Sequence, residues 1–270
     1  MAKIFLSIPI LDRPELKMLY SVYQAILSCR EHQVRVYFNE NDSLISRVRN
    51  VHMSVFMDEF TECDYFVSID SDIEILNAYP NNNIFTKLIE HNKDFVGGLY
   101  ALKQDKTAPL CSSIPDLSEN VTRENIQFDS GLLKMKWLSS GCWCIKRSAI
   151  EKMIKAYPEL TYVGDDNMAN RPIYGLCIPA IFNFNENGTI FKKYLSEDWS
   201  FCERWNKIGG EIYADTSIAL KHIGKTSYSL WNFEITKEKR PVEPTKQQNQ
   251  TNSFNPAMDL PPAGYDLGKI

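Results

Sequence analysis

The sequence predicts an α/β fold, with a mainly parallel central sheet flanked by helices, in a single domain that ends in a C-terminal tail. Strand-like and helix-like segments alternate through the first hundred residues, the order expected of an open, mainly parallel sheet. The 270 residues are 44% hydrophobic and 12% aromatic, enough to bury a core of that kind. From Pro241 onward, Pro, Gln and Asn crowd a stretch with no periodic apolar face, so the domain is placed at 1–236 and the tail or arm at 237–270.

The elements follow in order. Lys3 to Pro9 is rich in β-formers and meets Asp12-Arg13-Pro14, where proline suits the first turn of a helix carrying Leu16, Leu19, Tyr20, Tyr23, Ile26 and Leu27. Val34 to Phe38 reads as a second strand, and after Asn41-Asp42-Ser43 a helix sets Leu44, Val48, Val51, Val55 and Phe56 on one side. Tyr65 to Ile69 is a third strand that runs into Asp70-Ser71-Asp72. A short helix over Ile84 to Ile89 and a strand over Phe95 to Leu99 continue the alternation. Between Lys103 and Lys136 the period fades into Ser, Asp, Asn and Pro, as in loops that cover a site. Cys142 to Ile145 is again a strand, and Ser148-Ala149-Ile150-Glu151 reads as a capping box opening a helix. A last helix spans Ser196 to Ile208, with Phe201, Trp205 and Ile208 as its buried stripe and Gly209-Gly210 as its stop; Ile212 to Ala214 and Ile218 to Leu220 read as short strands.

Composition excludes some classes. A formal net charge of -4 lacks the basic excess that draws a protein onto nucleic acid or an anionic membrane. The apolar run after Lys3 is too short for a signal-peptide core, and no stretch reaches membrane-spanning length. Seven cysteines, with Cys142 and Cys144 the only close pair, offer neither a disulfide framework nor a CxxC motif, so a reducing cytoplasm is the expected home.

The chemistry centres on Asp70-Ser71-Asp72. In extended backbone, residues two apart project to the same side, so both carboxylates at this strand end can face one ion. Hard oxygen ligands suit Mg²⁺ or Mn²⁺, which would bridge them to a diphosphate. An EF-hand loop would need glycine where Ile75 stands, and an aspartyl phosphatase would want DxDxT, where the fifth residue here is Glu74.

Ser46-Arg47-Val48-Arg49-Asn50, Asp64 through Ile73, Phe95-Val96-Gly97-Gly98-Leu99-Tyr100, Ser196 through Trp205, and Asp215 with Leu220-Lys221-His222-Ile223-Gly224 together resemble the GT-A glycosyltransferases. Phage and bacterial members are the nearer likeness and fungal Golgi mannosyltransferases the more distant. The resemblance runs over about residues 3 to 225 and departs at 103 to 136. It implies a GT-A fold and a metal-dependent transfer of a sugar from a UDP- or GDP-linked donor to an acceptor hydroxyl. It also implies Asp72 as principal metal ligand, His222 completing the metal shell, and Asp70 reaching the metal or the donor ribose, with Ser71 beside it. A neutral imidazole among carboxylates tilts the preference from Mg²⁺ toward Mn²⁺. Donor contacts are expected at Ser7, Ile8 and Pro9, chiefly through backbone groups, with Arg13 close behind. Arg49, ranked above Arg47, is expected to meet the base or diphosphate from the side of its helix opposite the apolar stripe.

The resemblance puts a donor-sugar or acceptor wall at Trp137, Ser139, Ser140, Gly141, Cys142 and Trp143, where a glycine lets backbone approach a ligand. Tyr162, Asp165, Asp166 and Asn167 form a polar loop within reach of an acceptor or an ordinary turn. Glu197 and Asp198 occupy the first turn of a helix, where unpaired N–H groups favour carboxylates; Asp198 is the chosen catalytic residue and Glu197 its rival. A nucleotidyltransferase acting on sugar phosphates usually opens on a Gly-rich loop, and Lys3 to Arg13 has no glycine. A non-catalytic Ca²⁺-dependent carbohydrate-binding protein is the non-enzyme alternative. The expected partners are the nucleotide-sugar donor and a glycan or other hydroxyl acceptor, a modified DNA base being disfavoured by the acidic balance. The tail could join subunits into a homo-oligomer.

Overall fold

The first four elements are β1 (Lys3–Ile8), α1 (Leu16–Ser28), β2 (Gln33–Phe38) and α2 (Ile45–Asp58), followed by β3 (Tyr65–Ile69), β4 (Ile73–Ile75), α3 (Ile84–Glu90) and β5 (Phe95–Gly98). Two short strands, β6 (Phe128–Asp129) and β7 (Leu132–Met135), precede β8 (Cys142–Lys146) and α4 (Arg147–Ala156). Then come β9 (Thr161–Val163), β10 (Pro172–Tyr174), β11 (Ala180–Glu186), β12 (Thr189–Leu195), α5 (Glu197–Lys207), β13 (Ile212–Asp215), β14 (Leu220–Ile223) and β15 (Ser227–Ser229). This computed structural model describes residues 1–39, 42–76, 83–103, 111–112, 128–129, 131–164, 171–224 and 227–229. The expected boundary at 236/237, the tail, and Asp165, Asp166 and Asn167 lie outside the described residues.

Eight strands form the central sheet in the order β2-β1-β3-β8-β5-β13-β7-β6. β1 pairs parallel with β2 and β3, and β5 parallel with β13, while β8 enters antiparallel between β3 and β5 and β7 antiparallel beside β13. Most strands therefore share one direction and β7 and β8 oppose it, so the sheet is mixed as well as mainly parallel. Alternation along β1 divides the core. Ile4, Leu6 and Ile8 face α1 and pack with Met18, Val22 and Ala25, whereas Phe5 faces α2 and packs with Met53, Val55 and Phe56. The chain thus leaves β1 across one face to reach β2 and returns across the other to β3. The topological switch point falls between β1 and β3, where the crevice beyond the strand ends is suited to a ligand.

A second sheet, β15-β14-β4, places the turn after β3. β14 pairs antiparallel with β4, setting His222 opposite Ile73, and the Ile223 N–H donates to the Asp72 carbonyl at 2.8 Å. β11 and β12 form a hairpin through Asn187 and Gly188, both at positive φ.

Several expectations change on inspection. The apolar stripe of α1 does not face the core: Met18, Ser21, Val22 and Ala25 are buried, and Leu16, Leu19, Tyr20, Tyr23 and Leu27 are exposed. α2 is buried on more than one side, taking in Arg49, Asn50, His52 and Ser54 with its apolar residues, because a sheet lies under one face and β10 and the start of α5 close over another. Ser148 is not a cap. α4 begins at Arg147, directly off the extended Lys146, with no side-chain cap. Ile208 is partly exposed beyond the end of α5, leaving Phe201 and Trp205 as the stripe. The strand expected from Ile218 begins at Leu220, since Ile218 closes a turn onto the Asp215 carbonyl.

Candidate active site

The end of β3 gathers the charged residues. Asp72 lies in the turn between β3 and β4, and the β14–β4 pairing brings His222 to it, with His222 Nε2 3.4 Å from Asp72 Oδ2. His222 Nδ1 is 2.9 Å from the Ala101 carbonyl, which can only accept, so Nδ1 carries the proton. That bond anchors the ring with Nε2 directed at Asp72, and it supplies the backbone acceptor usual behind a metal-binding histidine. Lys103 Nζ, 2.6 Å from Asp72 Oδ2, sits as a cation in the same place. Burial works to raise the Asp72 carboxyl, and the facing His222 and Lys103 side chains outweigh it, holding the group below the ordinary carboxylate range.

Asp70 is engaged differently. Arg49 Nη2 donates to both its oxygens at 2.8 and 2.9 Å, and Nη1 lies 3.3 Å from Ser68 Oγ. Arg49 is 4% exposed, and its Nε, 3.6 Å from Glu197 Oε1, completes no hydrogen bond. Burial opposes the guanidinium charge, but Asp70 and then Glu197 override it and keep Arg49 firmly protonated. Burial also lifts the Asp70 carboxyl above its usual range against the pull of Arg49. Arg49 therefore braces Asp70 and Glu197 from beneath. Among the described residues, no three His, Cys, Asp or Glu side chains converge as a metal cluster; Asp72 and His222 come together, and Asp70 is turned to Arg49.

The first turn of α5 supplies the other carboxylates. Ser196 is the N-cap residue, and its hydroxyl donates to Asp198 Oδ1, which also accepts the Trp199 N–H at 2.8 Å. Both donors go to one oxygen, so Asp198 is held in place with Oδ2 unclaimed among the described residues. Burial, and next the neighbouring Asp198 charge, raise Glu197 above the ordinary range. Asp70, Asp72 and Asp198 all bear on the Cys111 thiol, which burial first and these charges next push up to about 12. Four carboxylates thus face two fixed cations, Arg49 and Lys103, an imbalance that favours a further positive charge.

The remaining expected residues are placed unevenly. Ser7 is buried with its hydroxyl 2.7 Å from His52 Nδ1, and its backbone is in register with both β2 and β3, so it backs the site from inside the sheet. Pro9 is buried just past the end of β1. Arg13 projects into solvent, 4.0 Å from Asp12, away from the carboxylates. Arg47 is held by two bonds to Asp42, each 2.8 Å. Ser71 sits in the turn itself, its carbonyl accepting from the Glu15 N–H at 2.9 Å.

Gly141 has a steric reason: a Cβ there would lie 2.6 Å from the Tyr100 ring, whose hydroxyl accepts the Gly141 N–H at 2.9 Å. The Gly141 carbonyl in turn accepts the Asp70 N–H at 3.2 Å. Trp137, Ser140, Cys142 and Trp143 are all buried; Trp137 also stacks on the partly exposed Trp199, centroids 4.8 Å apart, with Trp199 Nε1 3.3 Å from Ser139 Oγ. Tyr162 lies in β9, opposite Ile173. Sequence reasoning missed Lys103, which nothing in its neighbourhood marks, and the Trp199 stack, although Trp199 follows directly on Asp198.

No protein-family model and no curated protein sequence matches the chain. Among solved structures it is similar to A197 from STIV, at 14% identity and a TM-score of 0.48 over 89% of this chain and 100% of that one. It is also similar to the catalytic domain of Drosophila β1,4-galactosyltransferase 7 in complex with xylobiose, at 14% identity and a TM-score of 0.38 over 88% and 76%. A glycosyltransferase involved in glycosylation of the major capsid of PBCV-1 is similar at 12% identity and a TM-score of 0.33 over 58% and 66%. These likenesses are remote, and none assigns an activity. Among the described residues no helix is long and apolar enough to cross a membrane.

Proposed function

We propose that the chain is a metal-dependent glycosyltransferase of the GT-A kind, acting on a UDP- or GDP-linked sugar and an acceptor hydroxyl. The observation that carries this reading is the meeting of Asp72 and His222 at the open end of β3, with the histidine ring anchored through Nδ1 to the Ala101 carbonyl. An oxygen and a nitrogen ligand of this kind fit Mn²⁺, and Mg²⁺ less well. Bound there, the ion would offset the charge that builds on a departing diphosphate. Lys103 must swing off Asp72 to admit it.

The protein's own groups divide the remaining work. Arg49 fixes the Asp70 carboxylate at the strand end without itself facing solvent, and the crevice past β1 at Pro9 seats the nucleotide. Asp198, held through Oδ1, keeps Oδ2 for the acceptor hydroxyl, whose proton it would take in an inverting transfer; in a retaining one it would steady the oxocarbenium-like state instead. Glu197 is tied to Arg49 and positions it. The flat face of Trp199 beside Asp198 is suited to the C–H face of a sugar.

Asp198→Asn is expected to cut turnover by roughly a hundredfold with donor affinity kept, and Glu197→Gln by less. Asp72→Asn should abolish Mn²⁺-dependent binding of UDP or GDP. Donor hydrolysis, transfer and nucleotide titration with and without Mn²⁺ test the set. Full activity in excess EDTA, or no nucleotide binding under either condition, overturns the proposal.

A further inference from the structure

We infer that the outward face of α1, with the neighbouring edge strand, is an interface between two copies of this chain. In α1, Leu16 is 79% exposed, Tyr20 65%, Tyr23 56% and Leu27 52%, and Leu19 is open beside them. Their spacing of four, three and four residues makes one seam along the helix, as in a coiled coil. Lys17 is the only charged side chain among the thirteen residues of α1. The patch continues on the same side of the sheet. Val36 and Phe38 are exposed on β2, in register with Leu6 and Ile8, whose side chains meet the inner face of α1. β2 is the outermost strand, with one edge unpaired among the described residues. A contiguous apolar surface of this kind is what monomeric proteins avoid.

A second copy fits this face for two reasons. The seam reads Leu-Tyr-Tyr-Leu in either direction, so an antiparallel helix from a two-fold mate sets Leu16 against Leu27 and Tyr20 against Tyr23 of the other copy, the self-complementarity an isologous contact needs. At ordinary side-chain areas the exposed parts of these residues with Leu19, Val36 and Phe38 amount to about 700 Å², close to the roughly 800 Å² per partner of a standard interface. The ends of α1 do not oppose the pairing, because Asp12, Arg13 and Glu15 precede it and Arg30 and Glu31 follow it, so both signs stand at each end. Mixed signs there, on a chain of net charge -4, give no pull toward an anionic bilayer.

The full chain, studied by sedimentation equilibrium at micromolar concentration, is expected to run at twice its 31.1 kDa mass. The double substitution Tyr20→Glu/Tyr23→Glu should return it to the monomer with an unchanged circular dichroism spectrum. In a Cys29→Ser background, mild oxidation of Leu16→Cys mixed with Leu27→Cys should give a crosslinked dimer several-fold more readily than either variant alone; this decides the matter should the glutamate variant fail to fold. A monomeric wild type, a dimer indifferent to the glutamates, or equal crosslinking in all samples overturns the inference. So does a wild type that stays monomeric but floats with phosphatidylcholine and phosphatidylserine vesicles, a result that would make the face a bilayer contact.

Discussion

At the scale of single residues, Arg49 shows how burial changes a role. A solvated arginine is free to meet a diphosphate; one 4% exposed, with two bonds to Asp70 and a contact to Glu197, holds other charged groups in place. Arg49→Met would leave the partly buried Asp70 without its counter-charge, and breaking a pair of this type costs about 3 kcal/mol. The expected outcome is a lower melting temperature together with a raised donor KM. Arg47→Met, whose partner Asp42 lies on the protein's rim, should shift both far less. A melting temperature unchanged in Arg49→Met would return this residue to a direct donor contact. Lys103 is the converse case: at 2.6 Å from Asp72 it is central to the resting site, yet nothing in the letters around it distinguishes it from a surface lysine.

At the scale of elements, the strand-to-strand contact through Gly141 links the site to the sheet. Its N–H meets the Tyr100 hydroxyl and its carbonyl meets the Asp70 N–H, so the glycine transmits the position of β8 to the carboxylate turn. Gly141→Ala should cost on the order of 1–3 kcal/mol by driving a methyl into the tyrosine ring. In a Tyr100→Ala background the same change should cost little, and urea denaturation of the four proteins in the cycle reads this coupling. Additive losses would mean the ring is not the obstacle. The elements were unequally legible in sequence. β1, β2, β3 and β5 could be read because each is a short apolar run bounded by turn residues, whereas the three residues of β4 were too few to show a pattern. The face of α1 could not, because its two stripes differ in residue size: small Ser21 and Ala25 with Met18 and Val22 fit closely against β1 and β4, and the larger Tyr and Leu side chains are turned outward. The β11–β12 hairpin carries its own signal, Asn187-Gly188 between alternating residues, which the sequence reading passed over. The meeting of Asp72 with His222 depends on antiparallel pairing of residues 150 positions apart, which no local pattern encodes.

At the scale of the whole molecule, the buried histidine behind the site sets a pH dependence. Burial, and then the Arg49 charge, lower His52 to about 3, so it is neutral in the folded protein throughout the physiological range. The unfolded chain binds a proton at this residue below about 6.5, and the folded one does not until about 3. Protons therefore favour the unfolded state between those values, and stability from this source is present above about 6.5 and declines as pH falls. Urea denaturation from pH 7 to pH 4 is expected to show that decline. His52→Gln, which can still meet Ser7 Oγ, should flatten it. Equal slopes for the two proteins would show that His52 titrates alike in both states.

The place of β8 has a consequence for how the protein is made. It lies between β3 and β5, and its residues emerge from the ribosome some forty positions after β5. Until then the nascent chain has β1, β2 and β3 able to pair, while the inner edges of β3 and β5 stand open, and β5 must wait for β13 to cover its other side. Open strand edges recruit other chains. Biosynthesis thus passes through a stage in which the turn carrying Asp70 and Asp72 is already translated but its sheet is split, and the carboxylate-bearing end of the sheet is completed only when the last third of the domain has been delivered.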